Sequence, residues 1–267
     1  MKKLTVKELL ALKGARKAVL SCAFDKWTAR ACAQAGMDLI LTWAQETGTL
    51  EEMLINLQVV RKAAPDLLLG VGIPKKLAYI SEEEAARCAL LAQEYGADII
   101  YSSGMTIKSF EGLARRGIPC VGHVGYLPVR DTWLGGARAV GKTAEEAKLV
   151  YDAVKEFESA GCIGVEMELV PMQVARTITQ NTSLLTFSMG SGPDCDGQFL
   201  FSCDVLGAHN EYYPRHAKRY ASIYDDAVAA LQQYRADVLS GHYPQDENNV
   251  QMEEREYDAF INGIHGL

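Results

Sequence analysis

Three stretches of the chain share one grammar. AQAGMDLIL, AQEYGADIIY and FESAGCIGVEM each run a helix end into a glycine (Gly36, Gly96 or Gly161) and, after one or two residues, into an apolar run. Glycine takes the left-handed conformation that closes a helix at its C-cap, so each joint reads as a helix passing directly into a strand. Runs rich in Val, Ile and Leu alternate with helix-length segments throughout, the pattern of parallel βα units covered on both faces. Strands are predicted over 18–22, 38–42, 67–73, 98–102, 119–123, 163–168 and 184–189, with an eighth near 202–206. Helices are predicted over 27–34, 50–62, 82–94, 106–115, 144–159, 172–179 and 214–239. At 267 residues the chain suits one (β/α)8 TIM barrel of the α/β class, since such barrels take about 250 residues. The whole chain, residues 1–267, is therefore read as a single barrel domain with a C-terminal helical extension over 240–267. Its last helix, over 251–261, is expected to cap the barrel or dock on a neighbouring subunit.

Charge and cysteine usage narrow the function. The formal net charge is -7 and there is no basic block, which disfavours nucleic acid or an anionic membrane as a partner. No run approaches the ~20 apolar residues of a membrane span. The first residues, MKKLTVKELLALKG, pattern as an amphipathic helix rather than a signal peptide. Cys22, Cys32, Cys88, Cys120, Cys162, Cys195 and Cys203 form an odd set with no CxxC, read as packing residues in a reducing, cytoplasmic setting.

In a barrel, chemistry collects at the strand C-termini. The residues there are Asp25, Glu46, Lys75 with Lys76, Tyr101, Ser102, Ser103, His123, Glu168, Ser188, Ser191 and Asp204. Glu168 closes CIGVEMELVP, where alternation places Glu166 and Glu168 on the face of Gly164. A carboxylate walled by apolar side chains holds its proton more tightly and suits acid–base work, against the plain reading of a salt-bridged rim residue. His123, in VGHVG, reads either as a donor to a substrate oxygen or as a satisfied core histidine. Asp25 is a substrate contact or the N-cap of the helix that follows. Lys75 and Lys76 are a solvated turn, or one supplies fixed positive charge for an acidic substrate. GSGPDCDG lacks the lysine of a P-loop, and His209 and His216 in HNEYYPRH lack the carboxylates of a metal motif. No metal-ligand set is expected.

Several motifs then resemble one family. CVGHVGYLP with LGGARAVGK, VEMELVP, GSGPDCDGQFLFSCDVLG, PRHAKRY and SGHYP in the second half, and CAFDKWTARACAQAGMDLIL in the first, are similar to ketopantoate hydroxymethyltransferase, within the phosphoenolpyruvate/pyruvate barrel superfamily. The resemblance implies an enzyme that makes or breaks a carbon–carbon bond on a small 2-oxo acid, a transferase or an aldolase-type lyase. It makes Glu168 the group that moves a proton at the carbon next to the carbonyl, with His123 bonding a substrate oxygen. Ser102, Ser103 and Lys75 would hold the carboxylate, with Asp25, Glu46 and Tyr101 as further substrate contacts. The family reaction would bring methylenetetrahydrofolate as co-substrate, and the family's rings of barrels imply a homo-oligomer. The departures fall on the metal. Where the family carries Mg²⁺-binding acids, this chain has Trp43, Ala44 and Gln45, then Gly72, then Ser103, so Mg²⁺ is not expected in the family's manner. The rival readings are a metal-independent lyase or hydrolase of another small carboxylic acid, and a non-catalytic barrel subunit.

Overall fold

The structure, a computed structural model, describes residues 3–265. A short helix, α1 (Val6–Leu10), leads into β1 (Ala18–Cys22), α2 (Lys26–Ala35), β2 (Leu39–Trp43), α3 (Leu50–Ala63) and β3 (Leu68–Gly72). Then come α4 (Lys75–Ala78), α5 (Glu82–Glu94), β4 (Ile99–Tyr101), α6 (Ile107–Arg115) and β5 (Cys120–Gly125). The glycine-rich loop after β5 holds a 3₁₀ turn (Pro128–Arg130) and α7 (Asp131–Leu134) before α8 (Ala144–Ser159), β6 (Gly164–Glu168), α9 (Met172–Gln180), β7 (Leu185–Met189) and β8 (Gly197–Phe199). The strands pair in parallel and in sequence order, and β8 closes on β1 through Ala18 and Gly197. The chain is a closed (β/α)8 barrel, as expected; its alternation of apolar runs and helices would also fit a doubly wound sheet, and the β8–β1 pairing decides between them.

One strand lies elsewhere than expected. Residues 202–206 are a helix, α10 (Ser202–Leu206), and the eighth strand is the GQF segment three residues earlier. Ser202 and Asp204, both buried, suit a helix start better than a ladder position. The chain also separates into two compact units. The barrel unit runs to Val205 and includes Tyr212–Arg219; the second comprises Leu206–Glu211 and the chain from Tyr220 onward. It contains α11 (Ile223–Ser240) and α12 (Glu254–His265).

Local chemistry explains the regularity of the barrel. Asp25, Thr49, Ser81, Thr106 and Thr143 each stand at a helix N-cap and accept the backbone N–H three residues on. Gly36 closes α2 at φ 78°, a conformation cheap only without a Cβ. Side chains alternate between two cores. Ile40, Leu69, Val71, Ile100 and Val165 pack under the helices. Leu20, Leu39, Leu41, Leu68, Ile99, Val121, Leu185 and Phe187 fill the barrel, with Leu9 of α1 buried in the same cluster.

Three acids at the N-terminal ends of the strands are paired. Asp38, Asp98 and Asp196, just ahead of β2, β4 and β8, meet Arg16, Arg61 and Lys13 at 2.6–2.7 Å. Each also accepts a backbone N–H from a neighbouring strand, of Val19, Leu69 and Thr186. These groups staple the barrel; the acids at the other end are arranged differently.

Candidate active site

At the C-terminal ends of the strands the barrel opens into a cavity of about 540 Å³. Strand register decides what lines it. Trp43, Gly72 and Tyr101 lie side by side across β2, β3 and β4. His123 pairs with Glu166, and Gly125 with Glu168, across β5 and β6. One wall is aromatic: the Trp43 ring meets Phe24 edge-on at 4.5 Å and Phe201 at 5.4 Å. The opposite wall carries His123, Glu166 and Glu168.

That second wall is the chemical centre. His123 is 4% exposed and Glu166 2%. His123 Nδ1 lies 2.8 Å from Tyr101 Oη and 3.0 Å from Ser103 Oγ, and Ser103 Oγ donates to Tyr101 Oη at 3.3 Å. His123 Nε2 lies 3.1 Å from Glu168 Oε2 and 3.7 Å from Glu166 Oε1. Neither carboxylate is in line with the ring N–H, so Nε2 has ion-pair contacts and no aligned hydrogen bond. Burial pulls the imidazole pKa down, but Glu166 and Glu168 outweigh it and the net direction is up. Burial raises the Glu166 carboxyl, opposed by His123 and reinforced by Glu168. Burial, with Glu166 close by, keeps the Tyr101 phenol protonated far above its ordinary range. The cluster therefore favours a proton on the imidazole, which lies between two acids and is oriented from behind by two hydroxyls.

The backbone fixes where Glu168 stands. Gly125 has φ 90°, and a Cβ there would lie 2.1 Å from the Glu168 carbonyl oxygen. Leu169, the next residue, has φ 51°, a left-handed conformation that non-glycine residues adopt rarely and at functional sites. Its N–H donates to Met189 O at 2.9 Å and its carbonyl accepts from Val140 N–H at 3.1 Å, so neighbours on both sides hold the turn.

Of the residues singled out in the sequence, Glu168, His123, Tyr101, Ser102, Ser103, Lys75 and Glu46 all line the cavity. Asp25 does not. Its carboxylate caps α2, accepting Thr28 N–H at 2.8 Å and the Thr28 hydroxyl at 2.6 Å. Ser102 Oγ accepts Met105 N–H at 3.3 Å and so also builds the turn after β4. Lys75 is exposed at the start of α4. The GSGPDCDG segment serves structure at its start: Ser191 Oγ donates to Met167 O at 2.7 Å and accepts Val170 N–H at 2.9 Å, tying β7 to β6.

One residue escaped the sequence reading. Glu52, in the first turn of α3, accepts the N–H groups of Gln45, Glu46, Thr47 and Gly48 at 2.7–3.1 Å. Those bonds, that from Glu46 foremost, hold its pKa down to about 2. The β2–α3 loop, which contributes Glu46 to the cavity, is wound around this single carboxylate. In sequence Glu52 is merely an acid near a helix N-terminus, the commonest place for one.

The positions at which family resemblance would place Mg²⁺ do not fit that ion. Strand two ends in Trp43, whose ring packs edge-on and tilted against aromatic side chains; Ala44 after it has no ligand atom on its side chain, and a Cβ on Gly72 would already meet Trp43 Cβ at 3.0 Å. Ser103 offers one hydroxyl, engaged with Tyr101 and His123. A hard cation needs near-octahedral oxygen coordination, and this corner is an apolar wall.

The comparisons with known proteins converge. The chain is 33% identical over 260 residues to the 3-methyl-2-oxobutanoate hydroxymethyltransferase of Kosmotoga olearia, covering 92% of this chain and 97% of that one. It is 35% identical over 260 residues to that of Thermus thermophilus, covering 92% and 98%. Among solved structures, 2,3-dimethylmalate lyase, a PEP mutase/isocitrate lyase superfamily member, superposes with a TM-score of 0.58 over 98% of this chain and 99% of that one, at 14% identity. Phosphonopyruvate hydrolase gives 0.56 over 100% and 99%, at 11% identity. At that identity the likeness is one of fold. The sequence profile of ketopantoate hydroxymethyltransferase matches residues 3–246. A barrel with its histidine and glutamates at the mouth, matched nearly end to end by that profile, places this chain in the ketopantoate hydroxymethyltransferase family.

Proposed function

We propose that the protein makes or breaks a carbon–carbon bond at the carbon next to the carbonyl of a small 2-oxo acid. The observation that carries this is the contact of His123 Nε2 with Glu168 Oε2 at 3.1 Å, inside a cavity open to ligand. Glu168, whose side chain is 13% exposed against 3% for Glu166, is the acid better placed to meet a ligand. Its carboxylate takes the proton from carbon; the C–H electron pair moves into an enolate, and the imidazolium of His123 donates to the oxygen on which charge develops. Tyr101 and Ser103 hold the imidazole in place, and Lys75, with Ser102 and Ser103, supplies charge and donors for the carboxylate. The enolate carbon then attacks a one-carbon unit at the formaldehyde oxidation level. The relatives' name makes 3-methyl-2-oxobutanoate the first acceptor to test, and the family reaction makes methylenetetrahydrofolate the first donor. No step runs through Mg²⁺, because the corner that would hold it is aromatic. A non-catalytic role would suit a mouth sealed by Trp43, whereas here the polar wall borders open volume.

The test is proton exchange in D₂O followed by NMR, with 3-methyl-2-oxobutanoate and other 2-oxo acids. Exchange at the carbon next to the carbonyl is expected for the parent protein and not for Glu168→Gln. Absence of exchange with every 2-oxo acid would overturn the reading. Exchange without hydroxymethyl transfer would point instead to a lyase.

The chain is also inferred to form a homo-oligomer. Exposed apolar side chains on α11 and α12, among them Leu231, Leu239, Phe260 and Ile264, support this, and light scattering at micromolar concentration decides it. All seven cysteines are free, which supports a reducing compartment such as the cytoplasm. Among the described residues no helix is long and apolar enough to cross a membrane.

A further inference from the structure

We propose that His123 Nε2, Glu166 and Glu168 form a binding site for one divalent transition-metal ion, separate from the family's Mg²⁺ position. The three side chains each offer one ligand atom, and those atoms lie within 4.8 Å of one another. Two ligands on one ion at metal–ligand distances of about 2.0–2.2 Å stand roughly 3–3.5 Å apart. The 3.1 Å and 3.7 Å separations of Nε2 from Glu168 and Glu166 sit at or just beyond that range.

Acidic clusters are common, and the histidine gives this one its meaning. The His123 side chain is 2% exposed, and its Nε2 points at both carboxylates with no hydrogen-bond partner. Its Nδ1 is engaged by Tyr101 Oη and Ser103 Oγ, and in the tautomer with the N–H on Nδ1 the Nε2 lone pair faces the acids. This is the outer arrangement of a metal-bound imidazole, whose far nitrogen donates to a fixed oxygen. In that tautomer a positive charge between the ring nitrogen and the two carboxylates relieves their repulsion. A proton on Nε2 supplies one unit against two negative charges and aligns with neither. A divalent ion balances both and needs no alignment with the ring N–H axis. Among the described residues no lysine or arginine pairs with Glu166 or Glu168, so the remaining charge has no other local partner.

One imidazole and two carboxylates suit Mn²⁺, Fe²⁺, Co²⁺ or Zn²⁺ rather than Mg²⁺. The cavity side stays open, so a ligand oxygen completes the coordination. A carboxylate has two oxygens, so ligation through one leaves Glu168 able to take a proton with the other. An ion on Nε2 takes the place of the proton that the proton-transfer reading puts there, so the metal-loaded and metal-free proteins are distinct states; the site does not rest on that reading, because binding is read without substrate.

The experiment titrates EDTA-treated full-length protein with Co²⁺, following visible d–d absorption and heat. One equivalent per chain is expected, displaced by Zn²⁺ and not by millimolar Mg²⁺, with Glu166→Gln weakening it by roughly 10–100-fold. X-ray absorption on the loaded parent protein should show one imidazole in the first shell, a readout independent of any variant's folding. No stoichiometric binding, a shell without imidazole, or equal affinity in folded Glu166→Gln would overturn the proposal. The D₂O exchange assay on the EDTA-treated protein tests proton transfer alone, so either idea can fail while the other stands.

Discussion

Gly125 and Glu168 face each other across β5 and β6, so closely that a methyl group on one would sit 2.1 Å from the carbonyl oxygen of the other. Gly125→Ala must therefore push the Glu168 backbone away as well as accept a φ of 90°. We expect a loss of about 1–3 kcal/mol in stability. We also expect a fall in turnover larger than the stability loss explains, because the carboxylate moves relative to His123. Denaturant unfolding and steady-state kinetics on the same preparation measure both. Unchanged kcat in a destabilised protein would show that the contact serves the fold alone.

Glu168→Gln conserves volume and removes the proton acceptor. Turnover should fall by roughly 10²–10⁴-fold. Melting temperature should stay close to that of the parent. Retention of activity within a few-fold would assign the base to another group.

Glu52→Gln tests the loop anchor. A glutamine oxygen can satisfy only part of what the carboxylate accepts, and its NH₂ group would face backbone donors. Hydrogen exchange at residues 45–48 should speed up, and KM should rise because Glu46 lines the cavity. The pH dependence has a definite sign. The folded Glu52 pKa is depressed, to about 2 from 4.5, so its stabilisation is complete above the ordinary value and disappears as pH falls from 4.5 through about 2. Parent protein should lose loop protection across that window, while Glu52→Gln shows no such transition. Equal protection in the two proteins at pH 6 would dismiss the anchor.

Lys75→Ala should raise KM for an acidic substrate by about 3–10-fold with kcat little changed, the scale of one solvent-exposed charge contact. A change confined to kcat would contradict a binding role.

Mg²⁺ at millimolar concentration should shift neither melting temperature nor acceptor KM, since Ala44, Gly72 and Ser103 stand where the hard oxygen ligands would be. A saturable Mg²⁺ dependence of KM would show that substrate oxygens rebuild such a site.

The barrel was legible because its glycine-closed joints and apolar runs are local signals, repeated often enough to fix the period. The last strand was not, because three residues flanked by Asp196 and Leu200 carry no periodicity, while the apolar residues 205 and 206 invited a strand where the chain turns into a helix. Glu168 and His123 could be found because strand ends are where barrels keep chemistry. Alternation put Glu166 on the Glu168 face, yet nothing local showed that the neighbouring strand would set His123 beside it. Asp25 had both a cap and a contact reading, and its two bonds to Thr28 give the cap. The work of Glu52 depends on how the loop over 44–49 folds back, which composition does not record.

The mouth of this barrel is two-sided, with aromatic rings from β2 and the segments after β1 and β8, and titratable groups along β5 and β6. A small amphiphilic acid entering it has one comfortable posture, its hydrocarbon end against Trp43 and its polar end toward His123. An enolate held that way offers a single face of its planar carbon to an incoming electrophile. For an acceptor with two different substituents on that carbon, such as 3-methyl-2-oxopentanoate, the stereochemistry of the product is thus written into the contrast between the two walls, and exchanging Trp43 for a smaller residue should erode enantiomeric purity before it erodes rate.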